Sequence, residues 1–469
     1  MLGEIGQPRV LIAGTGSGCG KTTLACALMA AMTRRGLTVQ AFKCGPDYID
    51  PLFHSHITGR PSRNLDPFLL PESTLCYLFR KNSRGADCSI VEGVMGFYDG
   101  LGTTTAGSTH EVAKMTKTPT LLAVTARGMS ASLAALVKGF VGFRPQSDIA
   151  GVLLNETGER LYAPLKTMLA RETGVEVLGY MPRMEDCSLE SRHLGLVMAS
   201  EVANLDGKLA RLAQQAERSL DLDRILALAS VAPASPEGSP PTLACEPRPF
   251  RLAVARDEAF CFYYRDALDL LEEAGGQIVF FSPLSDAKLP DADGLYLGGG
   301  YPELHGARLA ANVSMREDIR RRVAEGLPTF AECGGFIALC DSLRTDEGVF
   351  EMCGVLKGDV FMTQRLTRFG YVNLTAKRQS VLAPQGWTGR GHEFHYSDGT
   401  NNGDGFIISK PNGSKLGGSQ TDGRAWEGIH ASPSIHAGYP HLHLCGDPQL
   451  AANFARACVE YRSKISHRI

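Results

Sequence analysis

At 469 residues the chain is longer than one hydrophobic core usually allows, so two to four domains are expected and two is the simplest count. Its 48 Lys and Arg residues almost balance 50 Asp and Glu residues, which leaves a formal net charge of -2. This balance excludes a global basic field that would recruit nucleic acid or an anionic membrane, so small substrates are expected. None of the 13 cysteines forms a C-x-x-C pair, which favours reduced thiols and a cytoplasmic location over a disulfide framework.

Hydropathy disfavours two further classes of protein. Residues 1–8 lack the charged and apolar regions of a signal peptide. No run of about 18 uninterrupted apolar residues occurs, as a spanning helix would require. We therefore expect neither a secreted protein nor a membrane partner.

The first 230 residues alternate short apolar runs with helical patterns. The predicted strands cover 10–13, 38–42, 88–91, 120–124 and 149–154. A helix is predicted from 22 to 35, directly after the first strand. Apolar strands separated by helices are typical of a parallel sheet that is buried on both faces. The pattern therefore predicts an α/β domain.

Residues 14–23, with the sequence GTGSGCGKTT, predict a phosphate-binding loop between the first strand and this helix. Backbone N–H groups and the helix N-terminus can bind the phosphates of ATP, Lys21 can reach the outer phosphates, and the Thr22 hydroxyl can bind Mg²⁺. Thr15 stands where the first glycine is usual, and Gly14 lies one residue earlier. A longer loop of this kind resembles the dethiobiotin synthetase type of P-loop protein. The predicted nucleotide-binding residues are Gly16, Gly18, Gly20, Lys21, Thr22, Thr23 and Asn155.

Acidic residues follow the second and third predicted strands, in KCGPDYIDP at 43–51 and VEGVMGFYDG at 91–100. Open α/β sheets bind ligands at the carboxyl ends of their strands, so these segments are expected to face the nucleotide. Each Asp could instead cap a helix or a turn, and Asn155, proposed to read a purine edge, could be a turn residue. The predicted metal ligands are Thr22, Asp47 and Glu92, and the predicted substrate contacts are Asp50 and Asp99.

A proline-rich segment, 231–249, predicts an extended linker because its prolines forbid a regular helix. Domains are therefore predicted at 1–230 and 250–469. Strands are predicted again at 251–255, 277–281, 294–297 and 328–331, which indicates a second α/β domain. Residues 400–428, rich in Gly, Asn, Ser and Asp, predict an irregular surface loop or lid.

Cys333 lies in AECGGF at 331–336, between a predicted strand and a predicted helix. A cysteine at such an elbow lies near a helix N-terminus, which favours the thiolate, and the glycines after it permit a strained turn. The backbone N–H of Gly334, with one from 298–303, could form an oxyanion hole. An inert buried cysteine is the structural alternative. The segment predicts a nucleophile that can release ammonia from an amide.

His441 is the predicted base, because its position resembles that of the histidine in class I glutamine amidotransferases. That class often has an acidic residue two places later, where this chain has His443, so the third member of the triad is left open. His392 and His395 are three residues apart, whereas helical zinc ligation in proteases uses a spacing of four. His392 and Glu393 are expected either to line a pocket or to close a strand.

Several segments together resemble the cobyrinate a,c-diamide synthase family. They are 42–51, 63–66, 91–100, 297–303, 331–335 and 390–396. The resemblance covers nearly the whole chain apart from 231–249 and 400–428. It implies an ATP-dependent synthetase domain followed by a class I glutamine amidotransferase-like domain. It also implies cobyrinate, ATP and L-glutamine as substrates, Mg²⁺ as cofactor, and an acyl phosphate that ammonia converts to an amide.

Three alternatives stay open at this stage. The same chemistry could act on hydrogenobyrinate or on Ni-sirohydrochlorin. A cobyric acid synthase would amidate other side chains, although 43–51 and 390–396 favour the a,c enzyme. A P-loop regulatory ATPase with an inactive amidotransferase fold would have no acceptor. The sequence allows a homodimer and does not determine the order of amidation or the ammonia path.

Overall fold

The computed structural model describes residues 6–187, 191–192, 195–196, 201–411 and 425–466. The chain folds as two compact units, the first ending at Pro240 and the second beginning at Pro241. This division falls inside the proline-rich segment 231–249, which contains no helix. Across the described ranges no helix combines the length and the apolar character that crossing a membrane requires.

The first unit contains nine strands and eight α-helices within the described residues. The strands are β1 (Arg9–Gly14), β2 (Val39–Cys44), β3 (Arg63–Leu65), β4 (Cys88–Glu92), β5 (Thr120–Thr125), β6 (Ile149–Asn155), β7 (Val177–Tyr180), β8 (Ser191–Arg192) and β9 (Gly195–Leu196). The helices are α1 (Lys21–Arg34), α2 (Asp50–Thr58), α3 (Glu72–Ser83), α4 (Thr109–Thr116), α5 (Ala131–Gly142), α6 (Glu159–Thr173), α7 (Leu205–Ser219) and α8 (Leu222–Ser230).

Seven of these strands form one parallel sheet in the order β3-β2-β4-β1-β5-β6-β7. Every residue of β1, β2 and β4 is buried, as expected for a sheet covered on both faces. Glu92 at the end of β4 pairs in register with Ile12 of β1 on one side and Lys43 of β2 on the other. The carboxyl ends of these three strands, and the loops that follow them, therefore meet at one edge. The predicted α/β class of this unit is confirmed.

The second unit contains fourteen strands and five α-helices within the described residues. The strands are β10 (Phe250–Ala255), β11 (Gly276–Phe281), β12 (Gly294–Leu297), β13 (Thr329–Glu332), β14 (Ser342–Thr345), β15 (Gly348–Glu351), β16 (Asp359–Met362), β17 (Arg368–Ala376), β18 (Thr388–His395), β19 (Ser397–Gly399), β20 (Phe406–Ser409), β21 (Trp426–Gly428), β22 (His430–Ser432) and β23 (Ile435–Gly438). The helices are α9 (Arg265–Glu273), α10 (Gly306–Ala311), α11 (Val313–Ala324), α12 (Gly334–Leu339) and α13 (Pro448–Ser466).

The central sheet of the second unit has the order β11-β10-β12-β13-β23-β22, and all its pairs are parallel except β22 with β23. Two smaller sheets, β15-β14-β16-β19 and β18-β17-β20-β21, complete the unit. Because β12, β13 and β23 are neighbours, the segments after Leu297, Glu332 and Gly438 start side by side. The second α/β domain is thereby confirmed.

The prediction that 400–428 is an irregular loop was wrong for part of its length. β20 pairs antiparallel with β17 on one side and with β21 on the other. Phe406 and Ile408 are buried while Ile407 is exposed, so this short segment has the alternation of a half-buried strand. The segment is rich in Gly and Asn, and this composition predicts a loop even though four of its residues alternate as in a strand. Residues 412–424 lie outside the described residues.

Candidate functional site

The loop between β1 and α1 is held in shape by two contacts of its own residues. Lys21 Nζ donates a hydrogen bond to the Gly16 carbonyl at 3.0 Å, and Asn155 Nδ2 donates one to the Cys19 carbonyl at 3.0 Å. Gly20 has a φ of 89°, and a Cβ atom there would lie 1.9 Å from Asn155 Nδ2, so only glycine fits. Helix α1 starts at the next residue, which places its N-terminal N–H groups at the loop. This arrangement suits an anionic phosphate.

Asn155 ends β6, as the sequence predicted, but one of its contacts was not foreseen. Its Nδ2 atom braces the phosphate loop through the Cys19 carbonyl. The purine contact proposed for this amide stays a prediction. This hydrogen bond forms because the end of β6 lies close to the loop, and the sequence alone does not predict that proximity.

An acidic cluster lies beside the loop. The Thr22 hydroxyl donates to Glu92 Oε1 at 2.6 Å and lies 3.3 Å from Asp50 Oδ2. Lys43 Nζ donates to both carboxylates, at 2.5 Å to Asp50 Oδ2 and 2.8 Å to Glu92 Oε1. The structure thus brings together the ends of β2 and β4 and the starts of α1 and α2. The motif at 43–51 contains Lys43, but the sequence does not predict that its ammonium pairs with these carboxylates.

Burial and charge oppose each other in this cluster. Burial by itself lowers the pKa of Lys43, but Asp50, Glu92 and Asp47 outweigh it and raise that pKa well above its usual value. Burial raises the pKa of Asp50, with the charge of Asp47 acting in the same direction. For Glu92, burial is outweighed by Lys43 and His54, which hold its pKa below the usual range. The ammonium is therefore charged and Glu92 is ionised.

His54 is a member of the site that sequence reasoning missed. Its Nε2 lies 2.7 Å from Glu92 Oε2, and its Nδ1 lies 3.4 Å from Ser62 Oγ. The side chain is fully buried, so this contact fixes the orientation of the Glu92 carboxylate. A signal existed in the sequence, because Asp50 and His54 are four residues apart and share one face of α2.

Asp47 and Asp99 lie further from the loop contacts. Asp47 Oδ1 accepts hydrogen bonds from the N–H groups of Ile49 and Asp50, at 2.8 and 3.1 Å, at the start of α2. Its Oδ2 lies 4.0 Å from Lys43 Nζ. Asp99 is exposed, and its Oδ2 accepts the N–H of Gly96 at 2.9 Å. Both make the cap or turn contacts that Asp favours, and their metal and substrate roles stay predictions.

The donor set suits a divalent cation that is shared with a nucleotide. In the described part of the chain no group of three or more His, Cys, Asp or Glu side chains forms a self-sufficient metal site. Mg²⁺ at nucleotide sites takes only one or two carboxylates, with phosphates and water completing its shell. The oxygens of Thr22, Glu92 and Asp50 around the loop match that requirement.

In the second unit, Cys333 occupies a strained elbow between β13 and α12. Its φ is 48° and its ψ is -103°, which is an uncommon backbone conformation for a residue other than glycine. Its N–H donates to the Gly438 carbonyl at 2.8 Å. A Cβ atom at Gly335 would lie 2.1 Å from the Leu297 carbonyl oxygen, so glycine is required for α12 to start this close to β12. The elbow predicted from the sequence is present in the structure.

The two segments predicted to form an oxyanion hole lie against each other. A Cβ atom at Gly334 would lie 3.1 Å from the Gly300 nitrogen and 3.0 Å from Pro302 Cδ. The 298–303 segment therefore packs directly on the first residue of α12. Backbone N–H groups at this place can stabilise a developing negative charge beside the thiol.

His441 lies in the same site. Its backbone forms a two-way bridge with His392, with N···O distances of 2.8 and 3.1 Å. Burial by itself lowers the pKa of His441, but its interactions with Cys333 and Glu332 outweigh burial and raise it to about 10. Glu332 Oε2 lies 3.9 Å from His441 Nδ1. The imidazole is therefore a cation beside the thiol, as an activated cysteine requires.

The other predicted residues of this region are buried but play different parts. The ring of His443 stacks on Tyr264 with centroids 4.5 Å apart, and burial lowers the pKa of His443 to about 3. His392 and Glu393 lie at the end of β18. Burial lowers the pKa of His392 to about 3 and raises the pKa of Glu393 to about 7. A neutral His443 cannot replace the charge of an acidic triad member.

Comparison with known proteins places both units in described families. Residues 10–197 match the CobQ/CobB/MinD/ParA nucleotide binding domain, and residues 251–449 match the CobB/CobQ-like glutamine amidotransferase domain. The chain is 39% identical over 459 residues to the cobyrinate a,c-diamide synthase of Caldanaerobacter subterraneus subsp. tengcongensis, covering 97% of this chain and 99% of that protein. It is 41% identical over 460 residues to the protein of that name from Salmonella typhimurium, covering 95% of this chain and 97% of that protein.

Proposed function

The chain belongs to the cobyrinate a,c-diamide synthase family, and we propose that it amidates the a and c acetate carboxylates of cobyrinate with glutamine and ATP. The observation that carries the proposal is the presence of two different sites in one chain. One is a phosphate loop beside a buried acidic cluster, and the other is a strained cysteine elbow beside a histidine. The first can activate a carboxylate and the second can release ammonia. An amide bond is the product that needs both.

In the first unit, the N–H groups at the start of α1 and the Lys21 ammonium bind the phosphates of ATP. A carboxylate oxygen of the substrate attacks the γ-phosphorus, which forms an acyl phosphate and releases ADP. This reaction depends mainly on positioning and on neutralising charge. Lys43, held between Asp50 and Glu92, supplies a positive charge at the edge of the sheet where the phosphoryl group moves.

Mg²⁺ is the cofactor we propose for this step, and it neutralises charge on the phosphoryl oxygens when bound. Thr22, Glu92 and Asp47 are the ligands predicted from the sequence, direct or through water. Asp50, predicted to contact the substrate, is added to this set because its Oδ2 lies 3.3 Å from the Thr22 hydroxyl, and it can also face the acceptor. The contacts of Thr22 with Glu92 and Asp50 support the roles of these three residues. Asp99 is proposed to contact the acceptor, since it lies in the loop that follows β4, the strand that ends at Glu92.

In the second unit, the Cys333 thiolate attacks Cδ of the glutamine side chain, and the N–H groups near Gly334 stabilise the resulting oxyanion. His441 gives a proton to the departing nitrogen, so ammonia leaves and a thioester forms. Water then hydrolyses the thioester to glutamate and the free thiol. Ammonia attacks the acyl phosphate, phosphate leaves, and the amide is formed. Two such cycles convert both acetates.

We further propose a cytoplasmic enzyme, since all 13 cysteines are free thiols. A homodimer is proposed as well, and light scattering of the purified protein would measure its mass in solution. Both statements are independent of the reaction.

The acceptor is tested by supplying purified cobyrinate, hydrogenobyrinate and Ni-sirohydrochlorin with ATP, MgCl₂ and glutamine, followed by mass spectrometry of the products. We expect cobyrinate to gain two amides. Exclusive amidation of another tetrapyrrole would replace the proposed acceptor. Glutamine-dependent ATP turnover that ignores every tetrapyrrole would instead indicate a regulatory ATPase.

A further inference from the structure

A buried carboxylate faces His441 from an unexpected element. Glu332 is the last residue of β13 and directly precedes Cys333. Its Oε2 lies 3.9 Å from His441 Nδ1, and the two side chains are 2% and 4% exposed. The position two residues after His441, where class I glutamine amidotransferases often have an acid, holds the neutral His443. A negative charge is therefore present beside the histidine, although not at the expected place in the sequence.

Two hydrogen bonds hold this carboxylate in place. The hydroxyl of Tyr296 donates to Glu332 Oε2 at 2.7 Å, and the N–H of Leu442 donates to Oε1 at 2.7 Å. Burial and the charge of Glu332 raise the pKa of Tyr296 well above its usual value, so this hydroxyl keeps its proton. Because Leu442 follows His441 directly, the second bond also ties the carboxylate to the segment that carries the histidine.

We propose that Glu332 is the positioning residue of the glutaminase site and takes the place of the missing acid after His441. Its carboxylate holds the imidazole with Nδ1–H turned towards it, which leaves Nε2 for Cys333, and it stabilises the imidazolium that accompanies the thiolate. At 3.9 Å the contact is an ion pair rather than a hydrogen bond, and such contacts tighten in substrate complexes. This inference rests on the proposed glutaminase function.

The groups around His441 leave this role to Glu332. His392 faces the imidazole with ring centroids 6.4 Å apart, but it is neutral, because burial and the charge of His441 lower its pKa to about 3. Cys333 is the hydrogen-bond partner that, together with Glu332, raises the pKa of His441. Tyr296 is buried and Tyr263 is half-buried, and burial raises the pKa of both hydroxyls, so neither carries charge. Glu393 is a second buried carboxylate that interacts with His441, but burial raises its pKa to about 7. Glu332, whose Oε2 lies 3.9 Å from Nδ1, is therefore the carboxylate that the geometry places on the Nδ1 side.

The decisive variant is Glu332→Gln, which keeps the size of the side chain and an acceptor for the Leu442 N–H but removes the charge. We expect kcat for glutamine hydrolysis to fall by roughly 10²–10⁴-fold. Amidation of cobyrinate with ammonium chloride should be unchanged, because it bypasses Cys333. The alkaline limb of the pH–rate profile for glutamine should move to lower pH, since His441 loses the charge that holds its proton. A purely structural role would not move that limb.

Two matched variants complete the test. His443→Phe keeps the ring that stacks on Tyr264 and should leave glutamine use and its pH profile unchanged. Tyr296→Phe keeps the charge but removes the hydrogen bond that holds Oε2 beside His441, so the carboxylate is no longer fixed there. Glutamine use should fall less than in Glu332→Gln, and the limb should move in the same direction because the carboxylate spends less time beside the imidazole. Tyr296→Phe also replaces Glu332→Gln should that variant not fold.

The inference is overturned if Glu332→Gln, or Tyr296→Phe in its place, retains normal glutamine use with an unmoved alkaline limb. A loss in His443→Phe instead would assign the role to His443. Failure of the proposed function looks different. In that case the unmodified enzyme itself would not hydrolyse glutamine or amidate cobyrinate with either nitrogen source.

Discussion

Replacing Lys43 with Met should destabilise the first unit and make the loss depend on pH. The Lys43 side chain is 4% exposed, and its Nζ lies 2.5 Å from Asp50 Oδ2 and 2.8 Å from Glu92 Oε1. Methionine keeps most of the apolar stem but carries no charge. Two buried carboxylates would therefore lose the cation that compensates them.

The expected loss of unfolding free energy in Lys43→Met depends on the contacts that the two carboxylates keep. Removing one partner of a buried ion pair costs about 3–5 kcal/mol, because the remaining charge is uncompensated. Glu92 keeps its contacts with His54 and Thr22 at 2.7 and 2.6 Å, which favours the lower end of that range. A loss of about 3 kcal/mol lowers the Tm of a domain of this size by about 6–12 °C.

The pH dependence has a definite sign. In the native protein, Lys43 and His54 overcome burial and hold the pKa of Glu92 below its unfolded value. The stabilisation is therefore fully present above the unfolded pKa of about 4.3 and is lost as pH falls through the lower, folded pKa. The difference between Lys43→Met and the native protein should be largest at neutral pH and shrink in acid.

Thermal unfolding followed by circular dichroism, at about pH 3 and about pH 8, measures this difference, because only the first value lies clearly below the unfolded pKa. Lys138→Met is the control, since Lys138 is exposed on α5 and its replacement should change stability by less than about 0.5 kcal/mol. MgCl₂ should raise the Tm of Lys43→Met more than that of the native protein, because a cation can then compensate the same carboxylates. Equal melting of the variant and the native protein at about pH 8 would refute the reasoning.

Three further predictions concern activity. Cys333→Ala should abolish glutamine use while ammonium salts still support amidation, and normal glutamine use by this variant would place the nucleophile elsewhere. Lys21→Ala and Glu92→Gln should each suppress amidation with either nitrogen source by roughly 10²-fold or more, because both act on charge neutralisation during phosphoryl transfer. Retained ammonia-dependent synthesis, measured by product mass, would remove the assigned role from that residue. Because one phosphate loop serves two acetates of a rigid macrocycle, a monoamide should appear transiently in rapid-quench samples and should be accepted as substrate. A diamide formed without it, together with refusal of added monoamide, would contradict a single acceptor site.

The features that could be predicted from the sequence are those formed by residues that are close together along the chain. The phosphate loop at 14–23 and the elbow at 331–336 each need a strand, a glycine turn and a helix in succession, and all three parts are local. The predicted strand at 88–91 is β4, extended by Glu92. By contrast, β20 was missed because its four residues stand among Gly and Asn, where composition favours a loop.

The features that were missed depend on which strands are adjacent. Lys43 lies in the motif at 43–51, yet its register pairing with Glu92 makes it the cation of the cluster. The bond of His54 to Glu92 requires α2 to pack beside β4, and Asn155 braces a loop about 136 residues earlier in the chain. The spacing of residues in the sequence does not predict that the strands lie in the order β2-β4-β1. The sequence therefore predicts the structure of each local segment, but it does not predict which residues of distant segments contact it.

The same reasoning explains how a glutaminase site can do without an acid after its histidine. In the second unit, Glu332 on β13 pairs in register with Gly438 on β23, and His441 follows three residues later. Two adjacent parallel strands thus deliver their next residues to one edge, so either strand can supply a charge to that edge. The segment after His441 carries the neutral His443, and an acid at the end of β13 lies 3.9 Å from the same imidazole. A triad of this kind is defined by where its charges lie in space, and the position of the acid in the sequence is free to change.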